Sequence, residues 1–361
     1  MTTAHPDPPL SEATVTRAAR HVSELVRAAI EHDPSRRAVV VWDEGCALAT
    51  GLAEAWRRAL PGARAVRFDT TPPDEVLAVL RALEPGDLCV LVQSTSFRLD
   101  AFRIRIELFR RGLAVVEHPH LARIVGPERE LYVDALAYDP AWYRGVGWAL
   151  KQRIDRAGTC VVDSGGTELV FPVGLEPAKV NIGDYRTLAN TGGQFPIGEV
   201  FTESLDLEAV HGRVRVPHFG DTSFHVNQPD RPITMVVEGG RVVATEDTTA
   251  AFEEVLAEIR ALEGQVWVRE LGFGLNRAFS PERMVRDIGT YERMCGVHLS
   301  LGAKHPSYNK PQIRKRQARF HVDVFADTHQ VLLDDEVVYA DGTWCVEPLE
   351  PRAWPRARPT G

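Results

Sequence analysis

The sequence predicts an α/β N-terminal domain with a mainly parallel sheet, followed by a β-rich α+β domain. Three observations carry this reading. Short β-branched runs alternate with amphipathic helices as far as about residue 156, and from Gly158 the texture changes to closely spaced β-runs with Gly-Gly turns. The length, 361 residues, suits roughly two domains of about 150 residues each.

In the first part, apolar residues between Ser11 and His32 recur at helical spacing. RAVVVWD (37–43) is a β-branched run closed by Asp-Glu-Gly. Cys46–Leu60 is Ala/Leu-rich and helical, and Ala63–Asp69 is the next strand. Residues 72–86 open on Pro-Pro and close on Pro-Gly, the start and stop signals of a helix. DLCVLVQS (87–94) follows as a strand, Phe102–Gly112 as a helix and LAVVEHP (113–119) as a strand. Ala141–Arg156 is the last helix of this layer. Parallel strands need crossovers, and helices supply them, so this alternation implies a parallel sheet covered by helices.

In the second part, TCVVDSGGTELVFPV (159–173) holds two β-runs around Ser-Gly-Gly, a hairpin signal. Further strands are expected at Ala178–Ile182, Arg213–Pro217, Ile233–Glu238 and Arg241–Thr245, the last two joined by Gly-Gly. Thr248–Gly264 has a capping-box-like start and a glycine stop, and is a helix. The expected divisions are 1–157, 158–345 and a flexible tail at 346–361, with residues 1–10 also loosely attached.

Composition narrows the function. Apolar residues make up 44% and charged residues 25%, the proportions of a globular protein. Acidic residues outnumber basic ones, 50 to 42, which disfavours a dedicated nucleic-acid binder. No apolar run is long enough for a membrane-spanning helix, and MTTAHPDPPL has no charged-then-apolar secretory pattern. The five scattered cysteines form no CxxC pair and read as reduced thiols of a cytoplasmic protein. GVGWAL at Gly145 lacks the third glycine of a dinucleotide fingerprint, and neither a phosphate loop nor a GxSxG elbow is present. Asp43-Glu44-Gly45 sits where α/β sheets bind ligands, but reads as a capped polar turn. The basic run Ile313–Arg319 reads as a solvated loop, with anion steering beside a site as its sharper alternative. His118-x-His120 reads as a loop at a strand's end.

The residues that carry chemistry are Glu199, Glu270, His298, His321 and Asp323. Taken singly, each is a turn, edge or core residue. His321-x-Asp323 is sharper, because residues two apart on a strand share a face and their neighbours Phe320, Val322 and Val324 are apolar. An imidazole and a carboxylate in such a setting need compensation. A divalent cation or a plain His–Asp hydrogen bond would each supply it. Three carboxylates with two or three imidazoles suit two divalent ions sharing a carboxylate and a water. The same set suits one Fe(II) held by two histidines and a carboxylate.

PIGEVFT (196–202), REL (269–271), HLSLG (298–302) and HVDVF (321–325), in that order, resemble the thermophilic-type metallo-aminopeptidases, peptidase family M29. GTELVFPV at Gly166 is similar to the strand that opens that family's second domain, and the resemblance covers roughly 158–340. It implies that Glu199, Glu270, His298, His321 and Asp323 hold one or two divalent ions (Zn, Co or Mn), with Glu270 as the bridge. It also implies an N-terminal α/β domain, a homodimer, and hydrolysis of an amide or peptide bond in a small-molecule or peptide substrate. The family's tyrosine seven residues after the HLxLG histidine is here His305, and Tyr308 stands three further on. On this reading Glu199, Glu270, His305 and Tyr308 form the catalytic group, while Lys304, Arg314 and Arg316 hold an anionic part of the substrate. LGFGLN (271–276), KRQARFHVD (315–323) and LLDDEVVYADG (332–342) also resemble a related branch, the ring-cleaving dihydroxypyridine dioxygenases, which use one Fe(II). That branch has a histidine where Glu270 stands and lacks the glutamate of the PIGEVF turn, so the two glutamates favour hydrolysis.

Overall fold

The computed structural model describes residues 8–99, 102–314 and 316–355. The chain forms two compact units, one of residues up to Pro140 with Gly183–Ile197 and the segment from Pro355, the other of Ala141–Ile182 and Gly198–Trp354.

The first unit is built on a five-stranded parallel sheet. Its order is Arg64–Arg67, Ala38–Trp42, Leu88–Val92, Ala114–His118, Thr191–Gln194. Leu88–Val92 is buried at every position, as a central parallel strand requires. Ser11 caps the Glu12–Glu24 helix by accepting from the Thr14 amide at 3.1 Å, and Pro73 opens the Pro73–Arg81 helix with Asp74 and Glu75 in its first turn. Two elements are absent from the sequence expectation, the Glu128–Ala135 helix and the Thr191–Gln194 strand. The latter, TGGQ, has the wrong composition for a strand. A Cβ on Gly192 would fall 1.9 Å from the Val115 carbonyl oxygen, so close approach, not β-propensity, selects its residues.

Asp43 is buried and accepts from the amides of Gly45 and Ser94, each at 3.1 Å, the polar turn expected of it. His118 ends its strand fully buried. Its Nε2 accepts from Trp56 Nε1 at 3.0 Å, and its Nδ1 lies 2.8 Å from the Tyr132 hydroxyl, which itself donates to the Phe195 carbonyl.

The second unit contains an eight-stranded and a seven-stranded antiparallel sheet. Cys160–Asp163 pairs with Glu168–Phe171, and Ile233–Glu238 with Arg241–Glu246, as the two hairpin signals require. The Ala250–Glu263 helix is capped by Thr249 and ends at Gly264 in the left-handed region. Its Phe252 packs edge-on against Phe219, with centroids 4.8 Å apart. Trp344 packs on Phe273, and its Nε1 donates to the Gly274 carbonyl at 2.7 Å.

The division falls at Ala141 rather than at 157, because the Gly147–Ile154 helix packs within the second unit. A Cβ on Gly147 would meet Ile182 at 2.7 Å, and one on Gly145 would meet Pro348 at 2.9 Å. Much of the expected C-terminal tail is therefore folded: Leu349 donates its amide to the Gly145 carbonyl at 3.0 Å, and Trp354 is buried. At the other end Leu10 lies against Gly51. Residues 1–7 and 356–361 of the expected tails lie outside the described residues. Among the described residues no helix is long and apolar enough to cross a membrane.

Candidate metal centre

Four adjacent strands of the seven-stranded sheet build the site: Glu199–Glu203, Val268–Gly274, Gly296–Leu301 and Val322–Phe325. Gly274 pairs with Glu199, Gly272 with His298, and Ser300 with Asp323. Paired residues share a face and alternate residues return to it, so Glu199, Glu270, His298 and Asp323 all project from one side. The intervening Val200, Leu271, Phe273, Leu299 and Val324 are buried as well. Both faces of these strands are covered, and the polar face must find its partners inside the protein. Glycine makes this crowding feasible. A Cβ on Gly272 would lie 2.1 Å from both Cε1 and Nε2 of His298, so the imidazole lies across the neighbouring strand where any other residue would block it.

The polar groups form a continuous row. His298 Nε2 is 3.2 Å from Glu199 Oε1 and 3.4 Å from Glu270 Oε1. Donor atoms of these three residues lie within 4.8 Å of one another. Glu270 Oε2 is 2.9 Å from His305 Nε2. The His305 ring stands 5.9 Å from that of His321, whose Nε2 is 3.2 Å from Asp323 Oδ1. Of the five expected ligands, Glu199, Glu270 and His298 thus cluster, while His321 and Asp323 form a separate pair nearby.

Hydrogen bonds to the second ring nitrogens separate the histidines. His321 Nδ1 donates to the Lys304 carbonyl at 3.1 Å, which leaves Nε2 as the nitrogen that would ligate a metal once its proton is displaced. His305 is reversed: the Ser307 amide donates to its Nδ1 at 3.1 Å, which leaves the hydrogen on Nε2, facing Glu270. His305 is arranged as a donor and not as a ligand.

The electrostatics call for positive charge. Burial works to raise the Glu270 carboxyl, but hydrogen bonds from His298 and His305 prevail and hold it well below the usual carboxylate range. Burial works to depress the imidazoles, yet Glu199 and Glu270 raise His298 well above its ordinary value, and Asp323 and Glu270 push His321 up to about 10. In this state protons on the imidazoles supply the counter-charge. Buried Asp323 Oδ1 stands 3.2 Å from His321 Nε2 without hydrogen-bond alignment, and an unmade buried hydrogen bond costs about 1–3 kcal/mol. A divalent cation fits this donor set, since it would displace the imidazole protons and engage the orphaned carboxylate oxygen.

Two neighbours were not foreseen. Arg293 Nη1 lies 3.3 Å from Glu199 Oε2 and in ion contact with Glu292. Burial, opposed by Arg293, pushes the Glu292 carboxyl up to about 8. The sequence signal for both was the Glu-Arg pair before MCGVHLSLG, which reads as surface.

The remaining candidates are placed differently from expectation. The Tyr308 hydroxyl donates to the Pro177 carbonyl at 2.8 Å, so this residue props the His305 ring, 5.0 Å away, and does not offer a hydrogen to an oxyanion. Lys304 is exposed and lines a cavity of about 600 Å³ together with His305, Tyr308, Arg269, Lys310 and Ile313. Arg269 is held by Glu203 at 2.9 Å and Lys310 by the Ser204 carbonyl at 2.6 Å. Arg314 and Arg316 are exposed and do not line this cavity.

No family model and no curated protein sequence matches the chain. Its fold is similar to the solved structure of wild-type AmpT from Thermus thermophilus, with a TM-score of 0.55 and 16% identity over 91% of this chain and 99% of that chain. The two chains share an architecture, a parallel α/β unit combined with an antiparallel β-rich unit.

Proposed function

We propose that the second unit is a divalent-metal hydrolase that cleaves an amide or peptide bond at a free amino terminus. The observation that carries this is the buried convergence of Glu199, Glu270 and His298 within 4.8 Å. The sequence resemblance and the shared fold point the same way. Glu199, Glu270 and His298 hold one ion, and His321 and Asp323 hold a second or complete the first. Glu270 directs its two oxygens at different imidazoles, the posture of a bridging carboxylate. When bound, the metal polarises the scissile carbonyl and lowers the pKa of a water molecule. The chain's own groups do the rest: His305 directs its Nε2 hydrogen toward Glu270 and the developing oxyanion, and Lys304 attracts an anionic part of the substrate at the cavity mouth. Purified protein is expected to carry Zn, Co or Mn and to release amino-terminal residues from short peptides. Full activity after exhaustive chelation, with no metal detectable, overturns the reading.

A second reading, a single-Fe(II) oxygenase, is favoured by one observation, a third imidazole (His305) in contact with the row. It requires Fe(II)-dependent oxygen uptake that is lost in His321→Ala, and peptide turnover under anaerobic conditions with Zn alone excludes it. The homodimer implied by the resemblance is read directly by sedimentation.

A further inference from the structure

We propose that Arg293, held in turn by Glu292, clamps the orientation of Glu199, making Arg293 a positioning residue of the centre. This rests on the metal reading above. The clamp is built by the main chain. A Cβ on Gly274 would meet the Met294 carbonyl oxygen at 1.8 Å and the Arg293 carbonyl carbon at 2.8 Å, and Asn276 donates its amide to the Arg293 carbonyl at 2.9 Å. The turn at Arg293–Met294 therefore lies directly on Gly274, and Gly274 is the cross-strand partner of Glu199. Only glycine permits this approach, and the approach delivers the guanidinium to the carboxylate.

The side chain of Arg293 is 7% exposed and that of Glu199 also 7%, so solvent does not screen their contact. Arg293 Nη1 stands 3.3 Å from Glu199 Oε2 as an ion pair without hydrogen-bond alignment, while Oε1 faces His298. Glu199 consequently offers one oxygen to a cation and is prevented from rotating to offer both. Glu292 is the second contact of the same Nη1 and holds the guanidinium in place against Glu199. Outer-sphere partners of this kind set ligand geometry and affinity.

The test is a Co(II) titration of the full-length protein, followed by its visible absorption and by equilibrium dialysis. Arg293→Gln is expected to bind Co(II) about 10- to 100-fold more weakly and to shift the visible bands, while Arg293→Lys recovers part of the affinity. Should Arg293→Gln fail to fold, Arg293→Lys reports on the same contact, with the charge kept and binding weaker than that of the parent protein. The double variant E292Q/R293Q removes both partners and is expected to lose affinity with an altered spectrum. Wild-type affinity and spectrum in the double variant overturn the clamp alone. Absence of Co(II) binding by the parent protein overturns the metal reading and the clamp with it.

Discussion

His118, at the end of a strand in the first unit, and His298, within a central strand of the second, are both buried, yet they meet opposite fates. His118 faces an indole and a phenol, both neutral, and burial drives its pKa down to about 3. His298 faces two carboxylates, which hold a proton on it against the same burial. Burial does not distinguish a structural histidine from a functional one; the charge of its partners does. Around His118 the hydrogen bonds are complete, with Nε2 accepting from Trp56 and Nδ1 donating toward Tyr132. Around His298 the carboxylates are balanced by protons on the imidazoles, protons that a bound cation would displace.

The sharpest way to break this comparison is Glu270→Ala, which removes the carboxylate common to His298 and His305. Metal retention should fall by more than the roughly 100-fold typical of outer-sphere changes, measured by elemental analysis after dialysis. Trp56→Phe, which breaks the His118 contact, should leave metal content unchanged.

Gly272→Ala comes next. Its methyl group would collide with the His298 ring, so metal affinity should drop with no ligand removed. Overpacking should also destabilise the fold by about 1–3 kcal/mol, read by denaturant unfolding. Unchanged metal affinity in a folded Gly272→Ala protein would show that His298 does not need its place over the strand.

The smallest effect is a difference in pH slope. His118 has a folded pKa below its unfolded value near 6.5, so the unfolded chain takes up the proton first. Its contribution is complete above about pH 6.5 and declines on acidification, at up to about 1.4 kcal/mol per pH unit. His321 in metal-free protein is the reverse. Its folded pKa, about 10, lies above the unfolded value, so its contribution is complete below pH 6.5 and is lost as pH rises toward 10. His118→Phe should flatten the acid limb of the stability profile and His321→Gln the alkaline limb. Parallel profiles for the two variants would contradict the contrast.

Local periodicity made most of the first unit legible, since runs such as Ala38–Trp42 and Leu88–Val92 carry their own signal. Thr191–Gln194 does not, because its glycines answer to a carbonyl 77 residues earlier in the chain, that of Val115. In the site, only His321-x-Asp323 could be read from spacing. Convergence of Glu199, Glu270 and His298 depends on the register of three strands, which no local pattern contains, and it was reached through the order of four motifs. LGFGLN displayed its glycines but not the imidazole and the turn that they accommodate. Tyr308 was misjudged because the partner of its hydroxyl, the Pro177 carbonyl, is remote in sequence. Arg293 was missed because arginine before a strand usually meets water.

The chain enters the second unit at Ala141, crosses back at Gly183 to lay down the fifth parallel strand, and leaves again at Gly198. Neither half is therefore a cassette that recombination could excise with a single cut. On the ribosome, the parallel sheet lacks its last member until Gln194 has been made, so its completion overlaps synthesis of the strand that carries Glu199. Maturation of the two halves is interleaved by the path of the backbone itself.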